Sequence, residues 1–242
     1  GKVFQKIAKE IYVAAKGTNG NPDDNPGLRA VLEKARSNNM PKDNIQKAID
    51  KAVGGAGGEE YESVRYEGYG PSGVALMIDC LTDNRNRTAM LVRSTLTKRG
   101  GNLGTDGSVS YLFERKGVIV TDKSVDEDEA MMVALDNGAL DFVVNDDNYE
   151  IYTPVDDFIK VKEALEELGV KEFITSEVTF VASNLIELDE EQTEKVQNLI
   201  DTLEDIDDVQ NVYSNRLIKL VFFFTFFDKR CKHTLKRLLF KI

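Results

Sequence analysis

A chain of 242 residues exceeds one modal domain, so two or three compact units are expected, and 41% hydrophobic with 30% charged residues suits a globular protein with a sizeable core. The net charge of −11 argues against nucleic acid meeting the whole surface. Cys80 and Cys231 carry no metal-ligand spacing and suggest no disulfide framework, and the lysine-bearing amino end has no apolar signal-peptide core. The simplest compartment is a reducing interior, cytoplasmic in a bacterium or organellar in a eukaryote, with no membrane partner.

Residues 2–16 read as an amphipathic helix with Phe4, Ile7, Ala8, Ile11, Ala14 and Ala15 on its apolar face. A turn-rich loop runs to Pro26. A second helix follows with Leu28, Val31, Leu32 and Ala35 inward, and stops near Asn38 and Asn39. Pro41 suits the first turn of a third helix, whose stripe is Ile45, Ala48, Ile49 and Ala52. The glycine-rich break at 54–58 is the clearest domain boundary. Beyond it, strands are expected at 63–67 and 74–81, a helix at 84–98, a glycine-rich loop at 100–107 and a strand at 108–113. Strands near 118–121, 140–144, 150–153 and 173–181, with helices near 126–137 and 155–168, then give a β-α-β-β-α-β order, the split βαβ, ferredoxin-like arrangement. A helix at 189–203 and a strand at 209–213 have no partners inside that unit and would complete the earlier sheet.

The resulting fold class is α+β. A basic helical domain (1–55) precedes a discontinuous α/β domain (56–116 plus 183–213), into which an acidic ferredoxin-like domain (117–182) is inserted. Residues 214–242 form an atypical tail. Two readings of it stand. It is a hydrophobic carboxyl segment, or it is non-native, because Phe-, Lys- and Leu-rich sequence is what AT-rich DNA yields out of frame. The run at 217–227 is too short for a membrane span and carries Lys219. The chain also begins at Gly1 rather than Met, which leaves room for natural sequence ahead of it.

Charge is divided unevenly along the chain. Residues 1–53 hold ten Lys/Arg and six Asp/Glu, residues 54–117 eight of each, residues 118–213 five basic and twenty-seven acidic, and residues 214–242 eight basic and one acidic. Phosphates attract basic patches and repel acidic ones over roughly 10 Å. Any nucleic acid is therefore expected at the first half. Lys2, Lys6, Lys9 and Lys16 share one arc of the first helix; Arg29 and Arg36 on the second, and Lys42, Lys47 and Lys51 on the third, extend the basic character. Lysines that merely solvate an exposed face are the bland alternative. The second and third helices could pass for a helix-turn-helix, a weak signal with no identifiable base-reading residue.

Further along, Gly68-Tyr69-Gly70-Pro71-Ser72-Gly73 matches G-x-G-x-x-G, but a strand follows where a dinucleotide fingerprint needs a helix. It is read as a strand-to-strand loop, with Tyr66 and Tyr69 as stacking faces or core. At the segment Asp83–Thr88, Asp83 and the preceding Thr82 are candidate caps. Arg85 and Arg87 at a helix amino terminus oppose its dipole, which points to an acidic partner or to a salt bridge with Asp79 or Asp106. The loop GGNLGTDGS lacks the ending of a phosphate-binding P-loop. The sole histidine, His233, lies in the tail, Cys80 has no base nearby in sequence, and the pairs Asp146-Asp147 and Asp207-Asp208 read as solvated turns. No catalytic constellation, metal site or cofactor site emerges.

The stretches EGYGPSGVALMIDCLTDNRNRT, GGNLGTDGSVSYLFERKG, NPxLRxxxxKARSNNMPKDNIxxAI and DDVQNVY together resemble the YebC/PmpR family of bacterial and organellar proteins over residues 1–213. The resemblance implies three domains, the third inserted in the second, and a DNA-binding transcriptional regulator. Mitochondrial and some bacterial members of that family are described as translational activators acting at the ribosome, of the kind that serve cytochrome c oxidase. Members usually begin with about twenty further residues rich in Lys, Arg and His, and the tail after Tyr213 has no counterpart among them. The expected partners are thus DNA or ribosomal RNA through the basic residues above, with a basic protein, such as one of the ribosome, docking on the acidic insert as the alternative.

Overall fold

The computed structural model of the chain describes residues 1–54, 58 and 60–217. The glycine-rich break lies partly outside the described residues; the tail from residue 218, with Cys231 and His233, lies wholly outside them. In chain order the elements are α1 (Lys2–Ala15), α2 (Pro26–Ser37), α3 (Lys42–Val53), β1 (Glu62–Tyr69), β2 (Ala75–Thr82), α4 (Arg85–Lys98), β3 (Asn102–Leu103), β4 (Phe113–Thr121), α5 (Glu127–Asp136), β5 (Asp141–Val144), β6 (Tyr149–Thr153), α6 (Phe158–Leu168), β7 (Phe173–Ala182), α7 (Glu190–Glu204) and β8 (Val209–Ser214). They fall into two compact units. The first joins residues 1–108 to 189–212; the second holds 109–188 and 213–217.

Within the first unit the three amino-terminal helices enclose their own core, in which Ile7 and Ile11 of α1 meet Leu28, Leu32 and Ala35 of α2 and Ala48 of α3. This is the stripe expected from three- and four-residue spacing. The Asn25 side chain fixes the start of α2 by accepting the Leu28 N–H at 3.0 Å, and its own amide donates to the Ala14 carbonyl at 2.7 Å. Pro26 occupies the first helical turn, where a missing N–H costs nothing.

The sheet of this unit has the order β3-β1-β2-β8, with β1 antiparallel to both β2 and β3. Its second strand is buried almost throughout, as its near-continuous apolar run requires. The last strand, β8, joins the sheet beside β2 although more than a hundred residues separate them in sequence. The strand left over from the ferredoxin-like pattern thus lies in the earlier sheet.

Strands of the second unit run β5-β6-β4-β7, all neighbours antiparallel. That is the split βαβ order read from the sequence. Helices α5 and α6 bury Ala130, Ala134, Phe158, Val161 and Leu165 against Ile119 and Ile151 of the sheet. One boundary differs from expectation. There is no separate strand at 108–113: a short 3-10 turn at Ser110–Leu112 leads straight into β4, which starts at Phe113, five residues before the expected strand. Its polar Glu114-Arg115-Lys116 segment pairs along β7 without alternating burial, so the alternation rule had nothing to read.

Ile119 is fully buried at the centre of this sheet. Ile119→Ala should destabilise the second unit by about 2–5 kcal/mol through reduced burial and the cavity left behind, read as a lower urea midpoint with the slope unchanged.

Candidate nucleic-acid interface

The residues expected to face phosphate divide into three groups. The first is committed to the protein's own acidic segment after α7. The Lys2 ammonium contacts the Asp205 carbonyl at 3.2 Å and its carboxylate at 3.1 Å. Lys6 donates to the Glu204 carbonyl at 2.6 Å, and Lys9 to the Asp207 carbonyl and the Asp208 carboxylate, both at 3.1 Å. Three ammonium groups one helical turn apart on α1 thus meet the end of α7, where free carbonyls carry partial negative charge. Burial pushes the Lys6 ammonium pKa below its ordinary value, against the charge of Glu204.

Asp208 is the centre of this group. The pair Asp207-Asp208 was expected to be a solvated turn, but Asp208 is only 4% exposed. Its Oδ2 accepts from the Arg87 guanidinium at 2.7 Å and from the Thr88 hydroxyl at 2.9 Å, while Oδ1 takes Lys9. Its backbone carbonyl receives the Leu81 N–H at 2.8 Å, which ties the start of β8 to β2. Burial alone would raise the Asp208 pKa. Hydrogen bonds from Arg87, Thr88 and Lys9 outweigh it and hold the carboxyl below its ordinary value.

Arg87 also reaches Asp83 at 2.7 Å, one turn back, and both hydrogen bonds hold its guanidinium more firmly protonated. Its salt-bridge partners are therefore neither Asp79 nor Asp106; Asp79 takes Arg65 at 2.6 Å across the β1–β2 pair. Neither Thr82 nor Asp83 caps α4. That role falls to Asn84, whose side chain accepts the Arg87 N–H at 3.0 Å.

The second group is held within the helical segment. Lys16 and Lys51 stand over the Tyr12 ring at 5.9 and 5.7 Å, and Tyr12 meets Tyr61 edge-on at 5.8 Å. Arg29 donates to the Pro22 and Asp23 carbonyls. The third group consists of Arg36, Lys42 and Lys47, together with Arg85 on α4. All are exposed, and their charged groups have no protein partner among the described residues. The structure thus brings together Lys2, Lys6, Lys9 and Arg87, as a latch rather than as an open patch. The acidic run 204–208 was the missed element, and its signal was four carboxylates in five residues, matching three lysines spaced four and three apart.

Other motifs resolve structurally. The loop 70–74 closes on itself through the Gly70 N–H and the Val74 carbonyl, and β2 follows, so no helix amino terminus is presented to a phosphate. The Tyr66 hydroxyl donates to the Arg85 carbonyl and the Tyr69 hydroxyl to the Ser108 carbonyl. In the loop 100–108 the Gly107 N–H already holds an anion, the Glu67 carboxylate, at 2.8 Å. Burial, with Asp208 nearby, pushes the Cys80 thiol up to about 12, so it stays protonated at neutral pH. Among the described residues no three His, Cys, Asp or Glu side chains are grouped to hold a metal, and no helix is long and apolar enough to cross a membrane.

Asp208→Ala should destabilise the first unit by about 2–3 kcal/mol, the worth of charge-assisted hydrogen bonds whose cations can partly return to water; calorimetry would read the loss. Because the folded-state pKa is depressed, the carboxylate's contribution is complete above its unfolded value near 3.8 and disappears as pH falls through the lower folded value. The acid limb of a stability-against-pH curve should therefore flatten in Asp208→Asn.

Residues 1–55 match the TACO1/YebC protein N-terminal domain, and residues 61–216 match the TACO1/YebC second and third domain. A probable transcriptional regulatory protein of Geobacillus kaustophilus is 52% identical over 218 residues, covering 89% of this chain and 88% of its own. The probable transcriptional regulatory protein YrbC of Bacillus subtilis is 50% identical over 219 residues, covering 89% and 90%. The crystal structure of a conserved hypothetical protein from Aquifex aeolicus superposes with a TM-score of 0.74 at 45% identity, over 90% of each chain. With both of its family matches in order along the chain and half of its residues shared with such relatives, this protein belongs to the TACO1/YebC family.

Proposed function

We propose that the chain is a non-enzymatic regulator that binds nucleic acid, DNA in the first place, through its amino-terminal helices. The observation that carries this reading is the set of exposed, unpartnered cations Arg36, Lys42 and Lys47 on α2 and α3. The names of the bacterial relatives, probable transcriptional regulatory proteins, support the regulatory part. Ribosomal RNA is an equally compatible target in charge terms, because phosphate contacts carry no sequence information. The latched Lys2, Lys6 and Lys9, with Arg87, would contribute mainly by holding the helical segment in place. Arg85 would add a further exposed cation on α4, and Lys16, Arg29 and Lys51 are the remaining cations of the helical segment in this reading.

A second reading rests on the second unit. Met132, Leu135 and Leu140 are exposed there among Asp128, Asp136 and Asp141. An apolar patch with an acidic rim fits a basic protein partner such as one of the ribosome.

Reversing Arg36, Lys42 and Lys47 to Glu should weaken binding to duplex DNA and to ribosomal RNA at every sequence, and should lower the salt slope by about one for each phosphate no longer neutralised. Unchanged affinity in a titration against salt would remove the helical segment as the contact surface. Deleting the insert should leave DNA binding in place if only the second reading depends on it.

A further inference from the structure

An open groove of about 690 Å3 lies where the end of α2 turns into α3, with the loop before α2 as its far wall. Its volume falls within the roughly 300–1,000 Å3 of small-molecule sites. The floor is apolar. Leu32 and Met40 are buried in the helical core, and Ile45 and Ile49 are half-buried beside them. The rim is cationic and amide-bearing, because Arg36, Lys42 and Asn39 all line the groove. Both cations belong to the free group, and among the described residues no carboxylate lines the groove.

Asn39 adds a second, independent observation. Four of the described helices end in the same pair of backbone hydrogen bonds. In α2 they run from Met40 N–H to the Ala35 carbonyl and from Asn39 N–H to the Arg36 carbonyl. The corresponding pairs close α4 at Gly101 and Gly100, α5 at Ala139 and Gly138, and α6 at Val170 and Gly169. The position that must take a positive φ is glycine in the other three, but in α2 it is Asn39, at φ 56°. Asparagine is the side-chain-bearing residue that tolerates this conformation best, so the position carries a polar side chain, and its amide has no protein partner among the described residues.

We propose that this groove binds one unpaired nucleotide of a single-stranded segment. Arg36 and Lys42 take the phosphate, the base lies on the Met40, Pro41 and Ile45 surface, and the Asn39 amide meets its hydrogen-bonding edge. The chemistry fits that ligand on each count. A base has apolar faces and polar edges, a phosphate needs cations without a competing carboxylate, and a duplex keeps its base faces stacked away from an apolar floor. The inference rests on the nucleic-acid reading above and narrows it to unpaired strands, whether of RNA or of locally opened DNA.

Asn39→Gly makes the test sharp, since glycine suits the backbone there and the fold should be as stable or more so. Fluorescence anisotropy on the full chain would use a mixed-sequence RNA strand, the DNA strand of the same sequence and its duplex. The wild type should prefer the strands over the duplex, and Asn39→Gly should reduce that preference about tenfold. Crosslinking with a 4-thiouridine strand should attach within residues 36–49. Preference for whichever strand, RNA or DNA, shows the larger Asn39→Gly effect identifies the source of the nucleotide. Equal affinity of the wild type for strand and duplex, an unchanged preference in Asn39→Gly, or crosslinks confined to other segments would overturn the groove while leaving phosphate binding by the helical segment standing. Failure of the wild type to bind any of the three would overturn the nucleic-acid reading, and the groove with it.

Discussion

One buried carboxylate, that of Asp208, ties together distant parts of the first unit. Its side chain gathers a lysine from α1 and an arginine and a threonine from α4, and its carbonyl anchors β8 to β2. A charge this far from water is tolerable only because it is answered by opposite charge and by directed hydrogen bonds. Three segments distant in sequence therefore have to arrive together. The hold on α1, the junction of β8 with β2 and the start of α4 share one satisfied group, which makes them cooperative rather than additive.

The same interaction changes what the charge distribution means. Taken by segment, the amino-terminal region carries a surplus of positive charge and the region after residue 118 a large negative one. Folding spends part of each on the other, since Lys2, Lys6 and Lys9 meet Glu204–Asp208. The field left for an external polyanion comes from a smaller set of cations, concentrated around α2 and α3. A count of lysines overstates the available attraction; the position of the unpartnered ones defines where it acts.

Much of the fold was legible in the chain. Hydrophobic spacing located the three amino-terminal helices, whose cores match Ile7, Ile11, Leu28 and Leu32, and the order of elements from β4 to β7 identified the split βαβ sheet. Two leftover elements, α7 and β8, pointed to a sheet completed from far along the chain, and β8 does lie beside β2. The start of β4 was not legible, because Glu114-Arg115-Lys116 shows no alternation. The latch was not legible either. Local reading treats Asp207-Asp208 as a turn, and only the tertiary arrangement buries one of the two. Nor does spacing distinguish Lys6, which caps a helix end, from Lys42, which faces solvent.

The discontinuous sheet has a consequence for biogenesis. When the polypeptide emerges in order, β1 and β2 are available early, yet the second neighbour of β2 is not made until residues 209–214 appear. The inserted sheet, contiguous from Phe113 to Ala182, can close in the meantime. Until then one flank of β2 is open, and the α1 lysines have no acidic run to meet. A nascent chain of this design spends most of its synthesis with the α1 lysines uncommitted and one strand edge exposed, and acquires both partners within the same dozen residues.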